Sequence, residues 1–430
     1  MNFNFSRYLL LLFLPILMCL SPLEAQEAYL DRDGRARELI AGETIKTVQL
    51  YREGWPLSYP VYRTGEDIRL VLGFDELGEE VHSFSYRIAH CNADWTLSSI
   101  PEMEYTEGYT ENPIRDYAYS FSAYYQYIHY SLLLPNDDIV LTLSGNYLLI
   151  VYRDENPDDV VFTKRFMITE GAVDIEATAH RPVLSTYMDC CQEVDVKVHT
   201  GNYQIQDPFR DTKLVICQNG LWDYSIQDLK PMIVSPGLLD FDYQEGNIFN
   251  GGNEFRFFDT KSTRIPSYYV NDILYISPYF HYELKTDEAK PANNYFYRED
   301  LNGRYYIESE GGRNPETDAD YVFVHFSLQP LLLSGGHIFI AGAFNGWQFN
   351  EDNRMDFNSS TGLYEKMLLL KQGMYNYRYV FLPDGSDRFD LSEIEGSHYE
   401  TENEYLILFY HRRPGERYDR LIGHQVIHSN

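Results

Sequence analysis

The amino-acid sequence predicts an all-β protein, and three features carry that prediction. Tyrosine and phenylalanine are abundant, with 38 Tyr and 25 Phe among 430 residues, and aromatic and β-branched side chains favour strands. Short segments with apolar side chains at alternate positions follow one another along the chain, separated by turns rich in Gly, Asn and Asp. The sequence contains no long amphipathic helical pattern. We therefore expect tandem β-sandwich domains after an N-terminal segment.

The N-terminal segment, residues 1–25, has the three parts of a secretory signal peptide. Arg7 supplies positive charge, residues 8–20 form an apolar run, and Leu23 with Ala25 gives an L-x-A cleavage pattern. The run is shorter than the roughly 20 apolar residues that a transmembrane helix needs. We expect cleavage after Ala25, export of the remaining chain, and no transmembrane segment within it.

The first predicted domain covers residues 40–170. Ile68, Leu70 and Leu72 occupy alternate positions of one segment, so their side chains point to the same face of a strand. Further along, residues 147–169 form two apolar segments joined by a polar turn, which is typical of a hairpin at the edge of a sandwich.

Two more domains are predicted, at residues 171–317 and 318–430. Both contain short alternating segments, and a loop rich in Gly, Pro and charge at residues 308–320 separates them. The loop is either a hinge or a long hairpin connection. The pattern predicts three immunoglobulin-like sandwiches in all.

Composition and motifs exclude several classes of function. With 35 basic against 65 acidic residues, the formal net charge of −30 disfavours nucleic acid and anionic lipid as partners. The sequence has no G-x-S-x-G, H-E-x-x-H, Walker or dinucleotide-binding motif. We predict that the chain is not an enzyme and holds no cofactor or metal. Pairing among Cys91, Cys190, Cys191 and Cys217 stays open.

The third domain carries a distinctive local signature. It consists of AGAFNGW at 341–347, GLY at 362–364 and GMYNYRY at 373–379. This signature resembles early-set immunoglobulin-like domains, which include glycogen-binding modules. In those modules an aromatic platform stacks on sugars, and Trp347 matches the first platform position, while the second tryptophan is absent near residues 383–385.

An ordered set of motifs covers most of the chain. The segments are YRIAHCNADW (86–95), SF (120–121), YIHY (127–130), LPNDD (134–138), LSGNYLL (143–149), RFM (165–167), QEV (192–194), QNG (218–220), GGNEFR (251–256) and DLNG (300–303). Together they resemble the plug protein of the type IX secretion system of Bacteroidota.

The plug resemblance implies a periplasmic protein, peripheral to the outer membrane. It would bind and seal the periplasmic mouth of the giant outer-membrane β-barrel translocon of that system. Exposed aromatic side chains are the expected contacts. Tyr124, Tyr125 and Tyr127 are therefore candidate binding residues, unless they only cover the core of a sandwich.

An alternative hypothesis is a secreted glycan-binding or glycan-processing accessory protein that uses the early-set domain. Under that hypothesis Trp347 is the candidate binding residue, and Trp347→Ala would abolish affinity for α-glucans.

Overall fold

The computed structural model describes residues 29–429 except 291–293, 332, 387, 388 and 390, and for residue 228 it describes the backbone alone. The predicted signal peptide lies outside the described residues. Strands in several sheets dominate the described chain, so the all-β prediction is confirmed. Its helices are short, and none has the length and apolar character needed to cross a membrane.

The first twelve strands form a two-sheet sandwich of ten strands and a separate two-stranded sheet of the sixth and tenth strands. They are β1 Leu39–Ile40, β2 Ile45–Arg52, β3 Val61–Arg63, β4 Leu70–Leu77, β5 Phe84–Cys91, β6 Thr106–Gly108, β7 Glu111–Ile114, β8 Asp116–Tyr119, β9 Tyr127–Leu134, β10 Ile139–Leu141, β11 Gly145–Arg153 and β12 Val160–Thr169, with helix α1 at Glu102–Tyr105. One sheet has the order β1-β12-β11-β5-β7, with β3 beside β12, and the other has the order β2-β4-β9-β8. Between them, the ring of Phe74 stacks on Tyr130 at 5.0 Å and meets Phe162 at 4.9 Å.

Eighteen further strands complete the chain. They are β13 Asp174–His180, β14 Cys191–His199, β15 Thr212–Gln218, β16 Ile226–Leu229, β17 Ile233–Ser235, β18 Leu238–Asp240, β19 Ile248–Asn250, β20 Arg256–Asp259, β21 Val270–Ile276, β22 Tyr279–Leu284, β23 Tyr305–Ile307, β24 Tyr321–Leu328, β25 Gly336–Ala341, β26 Asp356–Asn358, β27 Leu363–Lys371, β28 Gly373–Pro383, β29 Glu404–His411 and β30 Arg420–His428. Helices α2 Pro208–Asp211, α3 Pro315–Asp318 and α4 Ser392–Glu395 lie between strands.

The second sandwich is built from two separate stretches of the chain. One sheet has the order β13-β14-β18-β17, with β19 beside β14, and the facing sheet has the order β16-β15-β29-β30. Strand β15 pairs with β29 along its whole length, from Thr212 opposite His411 to Gln218 opposite Tyr405. The last two strands of the chain are therefore part of this sandwich.

The third sandwich lies within the second in the sequence. Its sheets are β20-β28-β23, with β25 also pairing β28, and β21-β22-β24-β27-β26. The Nδ2 of Asn403 donates to the carbonyl of Gly251 at 2.8 Å, so the chain leaves and re-enters the second sandwich at neighbouring points. Strands on the two sides of the predicted boundary between residues 317 and 318 thus pair with each other in both sandwiches. Strand β15 pairs with β29 in the second sandwich, and β20 and β23 pair with β28 in the third. Three immunoglobulin-like domains remain a prediction.

The first and second sandwiches pack face to face. Leu148 and Ile150 of β11 share one buried cluster with Leu406 and Leu408 of β29. In both strands the side chains on each face are buried, except at the end of β11. The four sheets therefore form a continuous stack, since each inner sheet has protein on both sides.

The four cysteines at 91, 190, 191 and 217 are free thiols in this structure. Cys91 and Cys217 lie inside the cluster between the first two sandwiches. Burial raises the pKa of each thiol to about 12, so both behave as small apolar core residues.

Candidate docking surface

The loop between β8 and β9, residues 120–126, runs along the joint between the first and third sandwiches. Asp320, which is buried, accepts hydrogen bonds from the backbone N–H of Tyr124 at 2.8 Å and of Tyr125 at 3.0 Å. The N–H of Phe121 donates to the carbonyl of Thr317 at 2.9 Å. Burial raises the pKa of Asp320, and the bonds from these amides oppose that rise. The loop is therefore held in one conformation by the third sandwich.

Aromatic side chains from both sandwiches meet above this loop. The ring of Tyr124 lies 5.5 Å from Phe280 and 5.8 Å from Tyr275, which are carried by the hairpin β21–β22. Tyr125 lies 5.0 Å from Tyr279 of the same hairpin. The hairpin and the loop therefore form a joint aromatic cluster that neither sandwich could form alone.

Much of this aromatic cluster and its neighbours is exposed. We define the aromatic surface as the apolar residues of 117–124 and of the hairpin that are about half exposed or more, namely Tyr117, Tyr119, Phe121, Tyr124, Tyr275 and Ile276. Phe121 is 70% exposed and Tyr124 53%, while Tyr117 and Tyr119 lie on β8, the edge strand of its sheet. Large exposed aromatic groups held on a rigid base are typical of protein–protein contacts.

Tyr127 does not belong to this surface. It is 1% exposed, its hydroxyl donates to the carbonyl of Ala319 at 2.7 Å, and its ring lies 5.3 Å from Tyr321. The prediction of Tyr127 as an exposed contact residue is corrected here, because its side chain is buried between the first and third sandwiches. Tyr125 is half-buried and only Tyr124 of the predicted three is well exposed.

A buried charged network lies under the joint. Asp75 on β4 contacts three groups: Lys371 Nζ at 2.6 Å, His129 Nδ1 at 2.7 Å and the hydroxyl of Tyr321 at 2.7 Å. Burial alone would raise the pKa of Asp75, but Lys371 and His129 together lower it below its ordinary value. The first and third sandwiches are thus connected by an ionised pair with almost no exposure to solvent.

Sequence patterns provide little indication of the roles of Asp75, Asp320 and Lys371. Each is a charged residue in or beside a strand, and charged side chains are usually solvated. The adjacent charges of Asp75 and Glu76, near the end of a mostly apolar strand, were the one available sign of a buried partner.

Trp347, the predicted sugar-platform residue, is half-buried and packs against a cluster of Ala341, Val380 and Phe389, none of which belongs to the aromatic surface. Its indole covers Gly303 so closely that a Cβ at that glycine would approach the ring to 2.7 Å. The ring of Phe255 lies 6.0 Å away. The indole therefore makes internal contacts on its Gly303 side, and a glycan-binding role of Trp347 stays a prediction.

Comparison with known proteins places the chain in a family. Residues 45–170 match the model of the type 9 secretion system plug protein 1st domain. A crystal structure of a hypothetical protein from Parabacteroides merdae ATCC 43184 superposes with a TM-score of 0.88 at 35% identity, over 92% of this chain and 99% of that one. No curated protein matches.

The family-model match supports a plug-like role in type 9 secretion, with an association to the cell envelope. The resemblance of residues 318–430 to early-set domains stays a prediction. The agreement over nearly the whole of both chains shows that the chain belongs to one family with the Parabacteroides merdae protein, and its residues 45–170 match the type 9 secretion system plug protein 1st domain.

Proposed function

We propose that this chain binds the periplasmic mouth of the outer-membrane β-barrel translocon of the type IX secretion system and seals it. The match of residues 45–170 to the plug domain carries the proposal. A barrel wide enough for folded cargo would let other solutes through unless its mouth were closed. Such a system therefore needs a protein that closes the pore reversibly. The role requires no active site, and the proposal is of a structural component and not an enzyme.

The rigidity of the fold supports this proposal. A plug protein that became ordered only on docking would bind more weakly, because ordering its own chain costs free energy. Here four sheets stack without a gap, and the third sandwich is connected to the first through Asp75 and Lys371. Loop 120–126, which carries part of the aromatic surface, is held by Asp320. The docking groups are therefore largely pre-organised.

The aromatic surface is the part of the molecule that we propose contacts the barrel. A few aromatic residues commonly supply most of the free energy of a protein–protein contact. Phe121 and Tyr124 come from the first sandwich and Tyr275 from the third, so only the assembled molecule presents them together. This arrangement would let the barrel distinguish the folded plug from a partly folded one.

The test is recovery of the barrel with an affinity-tagged chain from detergent extracts of the native cell envelope. The native chain is expected to recover a giant outer-membrane barrel. The variant Phe121→Ser/Tyr124→Ser/Tyr275→Ser is expected to bind at least about 30-fold more weakly, since the loss of even one hot-spot aromatic residue costs about 2 kcal/mol. The matched control is Tyr268→Ser/Phe296→Ser, which removes aromatic groups that are 75% and 76% exposed elsewhere.

Two outcomes would contradict parts of the proposal. If the native chain recovers no such barrel, the plug function is wrong. If the triple variant and the control bind equally well, the function stands but the docking surface lies elsewhere. Sealing is tested separately by adding the chain to the reconstituted barrel and measuring ion conductance, which should fall.

A further inference from the structure

Three potential metal ligands lie together on the outer face of the second sandwich. His180 is the last residue of β13, and Glu193 and Asp195 lie on β14. The antiparallel register places His180 directly opposite Glu193. Glu193 and Asp195 are two positions apart, so both point to the side of the sheet away from the core residue Val194. Rigid strands therefore present one imidazole and two carboxylates to the same space.

The distances suit a single small cation. One ligand atom from each of the three residues lies within 4.8 Å of the other two. His180 Nε2 is 2.8 Å from Asp195 Oδ2. In a tetrahedral zinc site, metal bonds of about 2.0–2.2 Å place neighbouring ligand atoms about 3.3 Å apart. Rotation of side chains within the existing backbone could supply the remaining adjustment.

Neighbouring groups orient two of the ligands. The Nδ1 of His180 lies 3.0 Å from the carbonyl oxygen of Arg181, and an N–H there leaves Nε2 to face the carboxylates. The Nδ2 of Asn247, which is fully buried, donates to Asp195 Oδ1 at 3.1 Å and to the carbonyl of Val194 at 3.1 Å. Hydrogen bonds of this kind commonly fix the ligands of protein metal sites.

The charges also favour a cation. Glu193 is 3% exposed and projects from the same face of β14 as Asp195, so two carboxylates share one partly enclosed space. His180 Nε2 contacts Asp195 Oδ2 at 2.8 Å, and His180 is the one basic residue of the three. A divalent ion in place of the Nε2 proton would neutralise both carboxylates at once.

We propose that His180, Glu193 and Asp195 bind one first-row transition-metal dication of the Zn²⁺ type, with water as the fourth ligand. The mixed nitrogen and oxygen donors suit Zn²⁺. They do not suit Ca²⁺, which takes six to eight oxygen ligands. The site would fasten β13 to β14 at the end of the ladder. It is independent of the proposed plug function.

The test is calorimetric titration of the untagged full chain with ZnCl₂ after removal of metals by a chelator. One equivalent is expected to bind, and both His180→Ala and Asp195→Asn should weaken binding at least tenfold. His199→Ala is the matched control, because His199 lies on β14 and contacts one carboxylate, that of Glu176 on β13, at 3.2 Å. That variant should bind Zn²⁺ as the native chain does.

A second measurement guards against misfolded variants. Each metal-free variant should have a melting temperature close to that of the metal-free native chain. Zn²⁺ should raise the melting temperature of the native chain and of His199→Ala, but not that of His180→Ala or Asp195→Asn. The proposal is overturned if the native chain binds no Zn²⁺, if His180→Ala binds it unchanged, or if Ca²⁺ binds as tightly as Zn²⁺.

Discussion

At the scale of single residues, Asp75 decides whether the joint between the first and third sandwiches can hold. It is the buried counter-charge of Lys371, and both side chains are at most 1% exposed. A buried ion pair is costly to form, but removal of one partner is more costly because the other charge remains without compensation.

We therefore expect Asp75→Asn to lower the free energy of unfolding by about 3–5 kcal/mol. The measurement is the shift of the urea unfolding curve at neutral pH. Glu53→Gln is the control, since it breaks the exposed pair with Arg69 and should cost at most about 1 kcal/mol. Asp75→Asn/Lys371→Met should regain most of the loss. A cost for Asp75→Asn as small as that of the control would contradict the role of this pair.

Glu254 makes a second prediction at this scale. Burial raises the pKa of its carboxyl from 4.5 to about 7, against the hydrogen bonds that Oε1 accepts from the hydroxyl of Tyr295 and the N–H of Glu402. Its Oε2 is buried without a hydrogen-bond partner. The folded chain therefore binds a proton more tightly than the unfolded chain, and this contribution to stability is lost as pH rises from about 4.5 through 7.

The variant Glu254→Gln should remove this pH dependence, because the amide keeps an acceptor for both donors and has no charge to bury. At pH 8 it should be more stable than the native chain by about 3 kcal/mol, with the two converging near pH 4.5. Urea unfolding at pH 5, 6.5 and 8 checks this. The exposed Glu79→Gln should follow the native chain at every pH, and a parallel offset of Glu254→Gln would contradict the assignment.

At the scale of elements, the loop 120–126 is held across the joint by Asp320, the residue immediately before β24. Three backbone amides converge on the carboxylate of Asp320, those of Tyr124, Tyr125 and Tyr321. A carboxylate that accepts several buried amides leaves each of them without a partner when it is removed.

Asp320→Ala is therefore expected to loosen the loop while the sheets remain folded. Loss of these bonds costs about 1–3 kcal/mol of local opening free energy, so amide exchange in residues 120–126 should accelerate about tenfold or more. Hydrogen exchange followed by mass spectrometry measures it. Asp318→Ala is the control, because it removes similar bonds to Arg313 and Asn314 without touching this loop. Equal amide exchange rates in residues 120–126 of the two variants would contradict the prediction.

At the scale of the whole molecule, the important feature is the interruption of the second sandwich by the third. We propose this arrangement as the domain organisation, in place of the sequential ranges 171–317 and 318–430. The alternation within each segment predicted strands well, as at Leu70 and Leu72, which are fully buried. The pairing of Leu214 with Phe409 could not be predicted, because it joins residues 195 positions apart and leaves no local pattern.

The candidate surface was predictable to a similar extent. The density of tyrosine along 124–127 indicated an aromatic patch, and Tyr124 is indeed exposed. The same pattern could not show that Tyr127 is buried, because the residues that cover it, Ala319 and Tyr321, come from another sandwich.

Deletion tests the interrupted organisation. Replacement of residues 252–400 by a short Gly-Ser linker should leave the first and second sandwiches folded, since the two ends are adjacent at Gly251 and Asn403. Truncation after residue 403 should instead unfold the second sandwich, because β15 loses its partner β29. Protection of the β14 amides from hydrogen exchange in the two shortened variants provides the measurement. If truncation leaves β14 protected, the second sandwich does not depend on the C-terminal strands.

The insertion of the third sandwich between Gly251 and Asn403 also determines the order in which the sandwiches can be completed during synthesis. A chain made from its N-terminus completes β15 long before β29 and β30 exist, while the third sandwich has all its strands by residue 383. Until residues 404–428 arrive, β15 presents an unpaired edge and an uncovered apolar face, both of which attract other strands. The second sandwich therefore stays incomplete and prone to aggregation while the third sandwich, although synthesised later, is already complete. Nascent chains that stall near residue 400 should be the ones that aggregate.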